Sequence, residues 1–224
     1  ERDKALRAAL RAQEEKRAQL FSERTPFSAH LRKWTDAQLP DMYDHNTFEM
    51  LGIPEEAELL AAREHQRAAG AGFWKLEGDG PLPPETVRRY GFEESCTLTM
   101  ALTPGAHDAW RRNASVRIAD AKERDIAADI LALELRNYGA VYGEDFTRRK
   151  MRRYLGAAQR DDRFHYFGAY VDGRIVGACW AFGSDGYTGI DGLIVDPDVR
   201  GRRVATTLMA GIVGVQTVVA AVLK

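Results

Sequence analysis

Between Asp125 and Gly139 the apolar residues Ile126, Ile130 and Leu133 return at the spacing of a helix that buries one face, and Gly139 predicts its stop. A second, basic helix is predicted over DFTRRKMRRYLGAA, from Asp145 to Ala158. Two apolar runs follow, RFHYFGAYV and RIVGACWAFG, joined by Asp172-Gly173. That dipeptide suits a two-residue hairpin turn, whose central residues need positive φ. YTGIDGLIVDP is the next predicted strand, ending at Pro197, which offers the sheet no backbone donor. A short helix with Leu208, Met209 and Ile212 turned inward occupies 203–213, and QTVVAAVL, 216–223, reads as a fifth strand. Before all of these, SVRIA reads as a short strand whose following turn Asp120 can cap.

The first hundred residues are patterned less clearly. Residues 1–24, with Leu6, Leu10, Leu20 and Phe21 near one stripe, read as an exposed amphipathic helix packed on the body, and 25–53 as irregular chain. Pro54 opens a helix that runs to Gly70, with Glu55 and Glu56 in its first turn, where carboxylates favour the helix dipole. FWKLE reads as a strand, PETVRRY as a short helix stopped by Gly91, and ESCTLTMAL as a strand burying Cys96, Leu98 and Met100 on one face. Thr103-Pro104-Gly105 breaks the pattern. Two modules are therefore expected, 1–105 and 114–224, packed as one body through the strand 94–102.

Composition narrows the function classes. Of 224 residues 45% are hydrophobic and 29% charged, ordinary for a globular protein. The net charge of −1 gives no global attraction to nucleic acid or an anionic membrane, so neither is expected as a partner. No apolar run approaches the roughly 18 residues that span a bilayer. The first residues are charged and helical in type, so no secretory signal is expected and the location is expected to be cytoplasmic; the chain opens at Glu1 rather than Met, so a preceding piece is expected to be missing. Two cysteines build no disulfide framework, and five histidines show no ligand spacing, so no metal is expected. Cys179, between Ala178 and Trp180, reads as a buried thiol. The basic TRRKMRR run lacks interleaved aromatics and reads as a solvated helix face.

The chemistry concentrates where the fourth strand of the second module meets its helix, DGLIVDPDVRGRRVATTLM. The first amides of a helix have no intrahelical acceptor and stand at the positive end of its dipole, so a phosphate sits well there. Arg200, Arg202 and Arg203 add charge, and Gly201 removes a side chain where oxygens would approach. A surface turn with solvated arginines remains the alternative.

The order strand, two helices, hairpin, strand, arginine-glycine turn, helix, strand over about 114–224 resembles the GCN5-related N-acetyltransferase (GNAT) superfamily. The lead-in LIVDPDV and the turn Arg200 to Ala205 are similar to its Q/R-x-x-G-x-G/A pattern, with Arg203 standing at the middle glycine. The resemblance implies a mixed α/β (α+β) sheet and acetyl-CoA as co-substrate. Its pyrophosphate would lie on Val199, Arg200, Gly201, Arg202, Arg203, Val204 and Ala205, and its pantetheine along Leu193 and Val195. It implies acyl transfer to a small-molecule or peptide amine. Asp191 is then the candidate base, with a solvated residue at a strand start as the equal alternative. Tyr138, Tyr142 and Glu144 are candidates for the acceptor pocket. Asp145 reads better as a helix cap. The proton donor common in the family, a tyrosine on a helix after the fifth strand, has no counterpart before Lys224. RRYGFEE makes the first module resemble a degenerate closing half of the same fold. The strand 94–102 would cover the edge that the second module leaves open, the alternatives being a partner subunit in a homodimer or residues beyond 224. Beside the N-acetyltransferase reading stand a non-catalytic CoA-binding regulatory module and a protein-interaction scaffold using the N-terminal helix.

Overall fold

The protein is described from a computed structural model, which covers residues 2–102, 105–213 and 217–223. Glu1, Thr103, Pro104, Gly214, Val215, Gln216 and Lys224, and the side chains of Arg2, Asp3, Leu98 and residues 217–223, lie outside the described residues. The chain divides into two compact units, residues 18–96 and residues 1–17 with 97–224. The boundary thus falls at Cys96/Thr97 and not between 105 and 114. The N-terminal helix α1 (Arg2–Ala18), expected in the first module, belongs up to Arg17 with the second.

The unit 18–96 contains strands β1 (Glu23–Pro26), β2 (Leu31–Thr35) and β3 (Phe48–Met50), helix α2 (Glu56–Ala68), strand β4 (Leu76–Glu77) and helix α3 (Pro84–Tyr90). Three of these strands lie in the stretch expected to be irregular. The alternation was hidden because a charged residue occupies a core position. Lys33 is buried, donates to Gln66 Oε1 at 3.1 Å and stands 5.5 Å from the Phe48 ring. Burial lowers the proton affinity of its ammonium. Leu31, Phe48 and Ala62 make the core beside it.

The larger unit adds β5 (Thr97–Ala101), β6 (Arg117–Asp120), α4 (Ala127–Tyr142), α5 (Glu144–Arg160), β7 (Phe164–Val171), β8 (Arg174–Ser184), β9 (Tyr187–Val195), α6 (Val204–Val213) and β10 (Thr217–Leu223). Its sheet has the order β5-β10-β9-β8-β7-β6. Asp172-Gly173, with φ of 50° and 79°, turns β7 into β8 as the sequence predicts, and Asp185-Gly186, at 53° and 80°, repeats the device between β8 and β9. Helix α4 does not stop at Gly139. It continues to Tyr142 and ends at Gly143, whose φ is 87°. Gly139 is buried in the helix, where a Cβ would make ordinary contact with Glu144 Cγ at 3.5 Å.

Side chains alternate across β8. Cys179 and Ala181 pack with Val204, Leu208 and Val213 of α6. Trp180 lies with Tyr154 of α5 and Phe164 of β7, at ring separations of 6.3 and 5.5 Å. The buried Glu134 of α4 accepts from the Tyr166 hydroxyl at 2.8 Å and meets Lys150 at 3.3 Å.

The two units share a plan. In the smaller one β1-β2 and β2-β3 are antiparallel and β3-β4 parallel, with α2 as the crossover. In the larger one β7-β8 and β8-β9 are antiparallel and β9-β10 parallel, with α6 as the crossover. Where a closing half is expected, residues 18–96 thus repeat the central part of the larger unit.

Strand β5 pairs antiparallel with β10 from Thr97↔Leu223 to Ala101↔Val219, so the edge expected to be open is covered from within the chain. It does so without the buried face expected of it, since Cys96 is exposed and Met100 is 52% exposed. Strand β5 is an edge strand, and its backbone rather than its side chains does the joining. The fragment 114–224, lacking β5 and α1, is expected to show no cooperative thermal transition by circular dichroism or calorimetry. A cooperative transition in that fragment would mean that neither element is needed for the fold.

Candidate active site

The predicted junction lies at the open end of a wedge. Strands β9 and β10 pair from Tyr187↔Thr217 to Ile190↔Ala220 and then part. Beyond Ile190 the backbone of β9 has no strand partner on that side among the described residues. Leu193, 38% exposed, and Val195 stand on this edge. On the other side of β9 a bulge sets the direction of the edge. Ala178 pairs with Ile194 and Trp180 with Asp191, so Gly192 and Leu193 together face Cys179. Gly192 has φ of 62°, and a Cβ on it would fall 2.7 Å from Trp180 Nε1. Both its backbone angle and its neighbour require glycine.

The turn after β9 is pinned from three sides. The buried Asp196 accepts from Arg136 Nη2 and Asn137 Nδ2 of α4, each at 2.8 Å. Its own amide donates to Val176 O. Asn113 donates its side chain to Arg202 O at 3.0 Å and its amide to Thr207 Oγ1 at 2.8 Å. Thr207 in turn donates to Arg203 O, which begins α6. The amides of Val204, Ala205 and Thr206 precede the first intrahelical bond, and so face outward at the positive end of the dipole.

Gly201 has φ of 77° and nothing within 4 Å of a would-be Cβ. Arg203 has φ of 60°. The arginine at the motif's middle glycine therefore keeps the backbone that a glycine would adopt. Arg203→Gly is expected to stabilise the protein by about 1 kcal/mol, or roughly 2–4 °C in melting temperature, by relieving this strain. A lower melting temperature would show that the side chain contributes more than the strain removes. Among the described residues, the guanidinium groups of Arg200, Arg202 and Arg203 meet no carboxylate within 4 Å. The Arg200 side chain donates its Nε–H to Val195 O at 3.2 Å.

Asp191 is exposed at the apex of the wedge, just past its last β9–β10 pair, and its Oδ1 accepts from the Gly192 amide at 2.6 Å. The face beside it was missed in the sequence. Gln13 of α1 is buried and donates to Phe182 O at 2.9 Å, and Arg17 lies 5.1 Å from the ring of Trp180, the register partner of Asp191. Glu14 holds the Arg17 guanidinium at 2.8 Å. Nothing in the α1 sequence marks these contacts. Gly192, by contrast, carried a readable signal, since an isolated glycine in a strand suggests a bulge. Burial, with Asp191 adding to it, pushes the Cys179 thiol far up, so it is no nucleophile at neutral pH.

The acceptor-side candidates separate. Tyr138 and Tyr142 form an aromatic row with Phe146, at centroid distances of 5.7 and 6.3 Å. Burial, followed by Glu134, raises the Tyr138 phenol, while Arg200 opposes the shift, so this tyrosine lies within the field of the arginine turn. Glu144 is ion-paired with Arg148 at 3.1 Å and Asp145 with Arg149 at 2.8 Å.

The corresponding junction of the smaller unit is closed. Ahead of α2, Glu58 and Glu55 cap the helix reciprocally, and Glu58 also accepts from the His30 amide and ring at 3.0 and 2.9 Å. Its carboxyl is held down to about 2, first by the neighbouring Ser28 hydroxyl and then by the Glu55 and His30 amides. A carboxylate of the chain itself occupies the helix N-terminus where an external anion would bind.

No helix among the described residues is long and apolar enough to cross a membrane, and no group of three His, Cys, Asp or Glu is placed there to hold a metal ion. No curated protein matches the sequence. Among solved structures the chain is similar to a functionally unknown conserved protein from Staphylococcus epidermidis ATCC 12228, at 15% identity and TM-score 0.74, over 91% of this chain and 84% of that one. It is similar to a GCN5-related N-acetyltransferase from Kribbella flavida, at 16% identity and TM-score 0.56, over 97% and 85%. It is also similar to a tandem GNAT protein from the clavulanic acid biosynthesis pathway, at 16% and 0.51, over 87% and 70%. Residues 127–215, from the start of α4 to beyond α6, match the acetyltransferase (GNAT) family model. Over residues 127–215 the chain is therefore similar to the GNAT family of acetyltransferases.

Proposed function

We propose that the protein is an acetyl-CoA-dependent N-acetyltransferase whose site is the wedge between β9 and β10. The observation that carries this reading is the arginine turn, with three guanidinium groups meeting no carboxylate among the described residues and α6 beginning behind them. Such a turn fits a pyrophosphate, and the open edge beside it fits a strand-like pantetheine arm on Leu193 and Val195. The thioester supplies an activated acetyl group. The chain's own residues hold both reactants together, which by itself can account for much of the rate. Asp191 accepts the proton of the acceptor ammonium, directly or through water, leaving a neutral amine to attack the carbonyl. The displaced thiolate takes up a proton as the C–S bond breaks. A cytoplasmic location belongs to the same reading, supported by two free cysteines, one exposed.

Isothermal titration with CoA and an assay of thiol release from acetyl-CoA in the presence of amines test the proposal together. One equivalent of CoA per chain is expected, because Glu58 occupies the corresponding helix start of the smaller unit. Binding without thiol release would make the protein a non-catalytic CoA-binding module. Absence of binding would overturn the reading.

A further inference from the structure

Helix α1 lies along the face of β8 and β9 that leads to Asp191. Gln13 donates to Phe182 O, and its side chain stands 3.5 Å from where a Cβ of Gly189, the register partner of Phe182, would be. One helical turn later Arg17 sets its guanidinium 5.1 Å from the ring of Trp180, the register partner of Asp191. Four helix residues advance about 6 Å and two strand residues about 7 Å, so the step from Gln13 to Arg17 keeps pace with the step from Gly189 to Asp191. Lys16 ties the same turn of α1 to Asp185, between the two strands, at 2.6 Å. Register partners project on one face of a sheet, so Arg17, Trp180 and Asp191 gather on the same side.

A cation in the last turn of a helix is favoured by the dipole and by a carboxylate one turn back, and both apply to Arg17. Neither accounts for its seat. Glu14 Oε2 accepts from Arg17 Nε and Nη2 at 3.0 and 2.8 Å, yet the Arg17 side chain is only 23% exposed and lies on the indole. Burial works against the guanidinium charge, and Glu14, then Tyr154, then Asp191 more than offset it, so Arg17 stays charged in the field of Asp191. From β8, Cys179 lies in that field too. Further out the charges stand in pairs, Lys16 with Asp185, Arg163 with Asp161 and Lys150 with Glu134.

We propose that Arg17 is a positioning residue of the site, acting through Asp191: its guanidinium, seated on Trp180, supplies positive charge that keeps the Asp191 carboxylate ionised and ready to take the acceptor's proton, while Glu14 opposes it. This rests on the N-acetyltransferase reading above, and it makes α1 part of the active site. A cation beside a carboxylate favours its charged form. Removing the Arg17 charge therefore raises the pH at which Asp191 ionises, and removing the Glu14 charge lowers it. The proton passes from the acceptor ammonium to Asp191, and Arg17 stays protonated throughout.

The test uses the full chain with its Asp carboxyls labelled with carbon-13, the Asp191 signal being assigned by its loss in Asp191→Asn. The Asp191 titration midpoint is expected to rise by about half a pH unit or more in Arg17→Gln and to fall by about 0.3 in Glu14→Gln. In Arg17→Lys, which keeps the charge, it is expected to stay nearer the wild type than in Arg17→Gln. Glu14→Gln retains an acceptor for the guanidinium, so α1 stays seated while the charge changes. Mere loosening of α1 would move the midpoint the same way in both neutral variants, whereas a charge effect gives opposite signs. The acid limb of thiol release from acetyl-CoA is expected to move with the midpoint. An unmoved midpoint in Arg17→Gln would overturn the proposal, and so would shifts of one sign in the two variants. If Arg17→Gln does not fold, Glu14→Gln decides, and a midpoint there that rises or stays would overturn it. Shifts of the expected signs without thiol release would uphold the role of Arg17 and sink the acetyltransferase reading instead. Thiol release with an Asp191 midpoint indifferent to Arg17 would do the reverse.

Discussion

Gly201→Asp is expected to weaken CoA binding by about a hundredfold or more, with the fold intact. The position is open, with nothing within 4 Å of the added Cβ, so the substitution meets no packing barrier. Its φ of 77° costs an aspartate less than most residues, because a short polar side chain tolerates the left-handed region. What changes is charge. A carboxylate would stand among Arg200, Arg202, Arg203 and the first amides of α6, where the proposal puts a pyrophosphate. A like charge brought into an anion site opposes binding by several kcal/mol, and about 3 kcal/mol corresponds to a hundredfold. Gly201→Asn is the control, with nearly the same shape and backbone demand but no charge. It is expected to lose less than about tenfold. Isothermal titration reads both, and calorimetry confirms that both fold. Equal affinities for the wild type and Gly201→Asp would remove the pyrophosphate from this turn.

Asp191→Asn is expected to lower turnover by about a hundredfold, within the range of a positioned general base, while leaving CoA affinity unchanged. Asp191 is exposed and lies at the apex of the wedge, one residue past the last β9–β10 pair, rather than at the arginine turn, so the two functions separate. The Asn side chain can still accept from the Gly192 amide, as Asp191 Oδ1 does at 2.6 Å, so the bulge is preserved. The acid limb of the pH–rate profile should disappear or move, because the group whose ionisation it reports is gone. A variant with wild-type rate and pH dependence would make Asp191 a structural residue of the bulge.

Much of the larger unit was legible because its signals are local. The Asp172-Gly173 turn is a dipeptide whose φ angles follow from its own chemistry, and the strands on either side were found with it. The helix over 127–142 declared itself by spacing, and the arginine-glycine turn by the pairing of charge with a strand end and a helix start. The same local logic misled at Gly139, where a helix-stopping residue lies inside a helix. Burial against the following helix, a tertiary matter, outweighed its propensity. It failed again at Lys33, a charged residue in a core position that concealed β2.

The site itself divides along the same line. The arginine turn, where the proposal puts the pyrophosphate, is one contiguous segment, and the sequence determined it, down to a backbone at Arg203 that follows the motif glycine. The surroundings of Asp191 are assembled from elements far apart in sequence, over 160 residues at the extremes, as Gln13 of α1 on Phe182 of β8 shows. So is the closure of the sheet, in which β10 finds a partner more than a hundred residues earlier in β5. Such contacts depend on how faces of separate elements meet, and a backbone pairing such as β5 with β10 leaves no side-chain pattern to read. Local conformational preference and charge can be read along the chain. Which distant surfaces share a site is decided only when the apolar faces of the helices and strands are buried together, and that information lies in the tertiary structure.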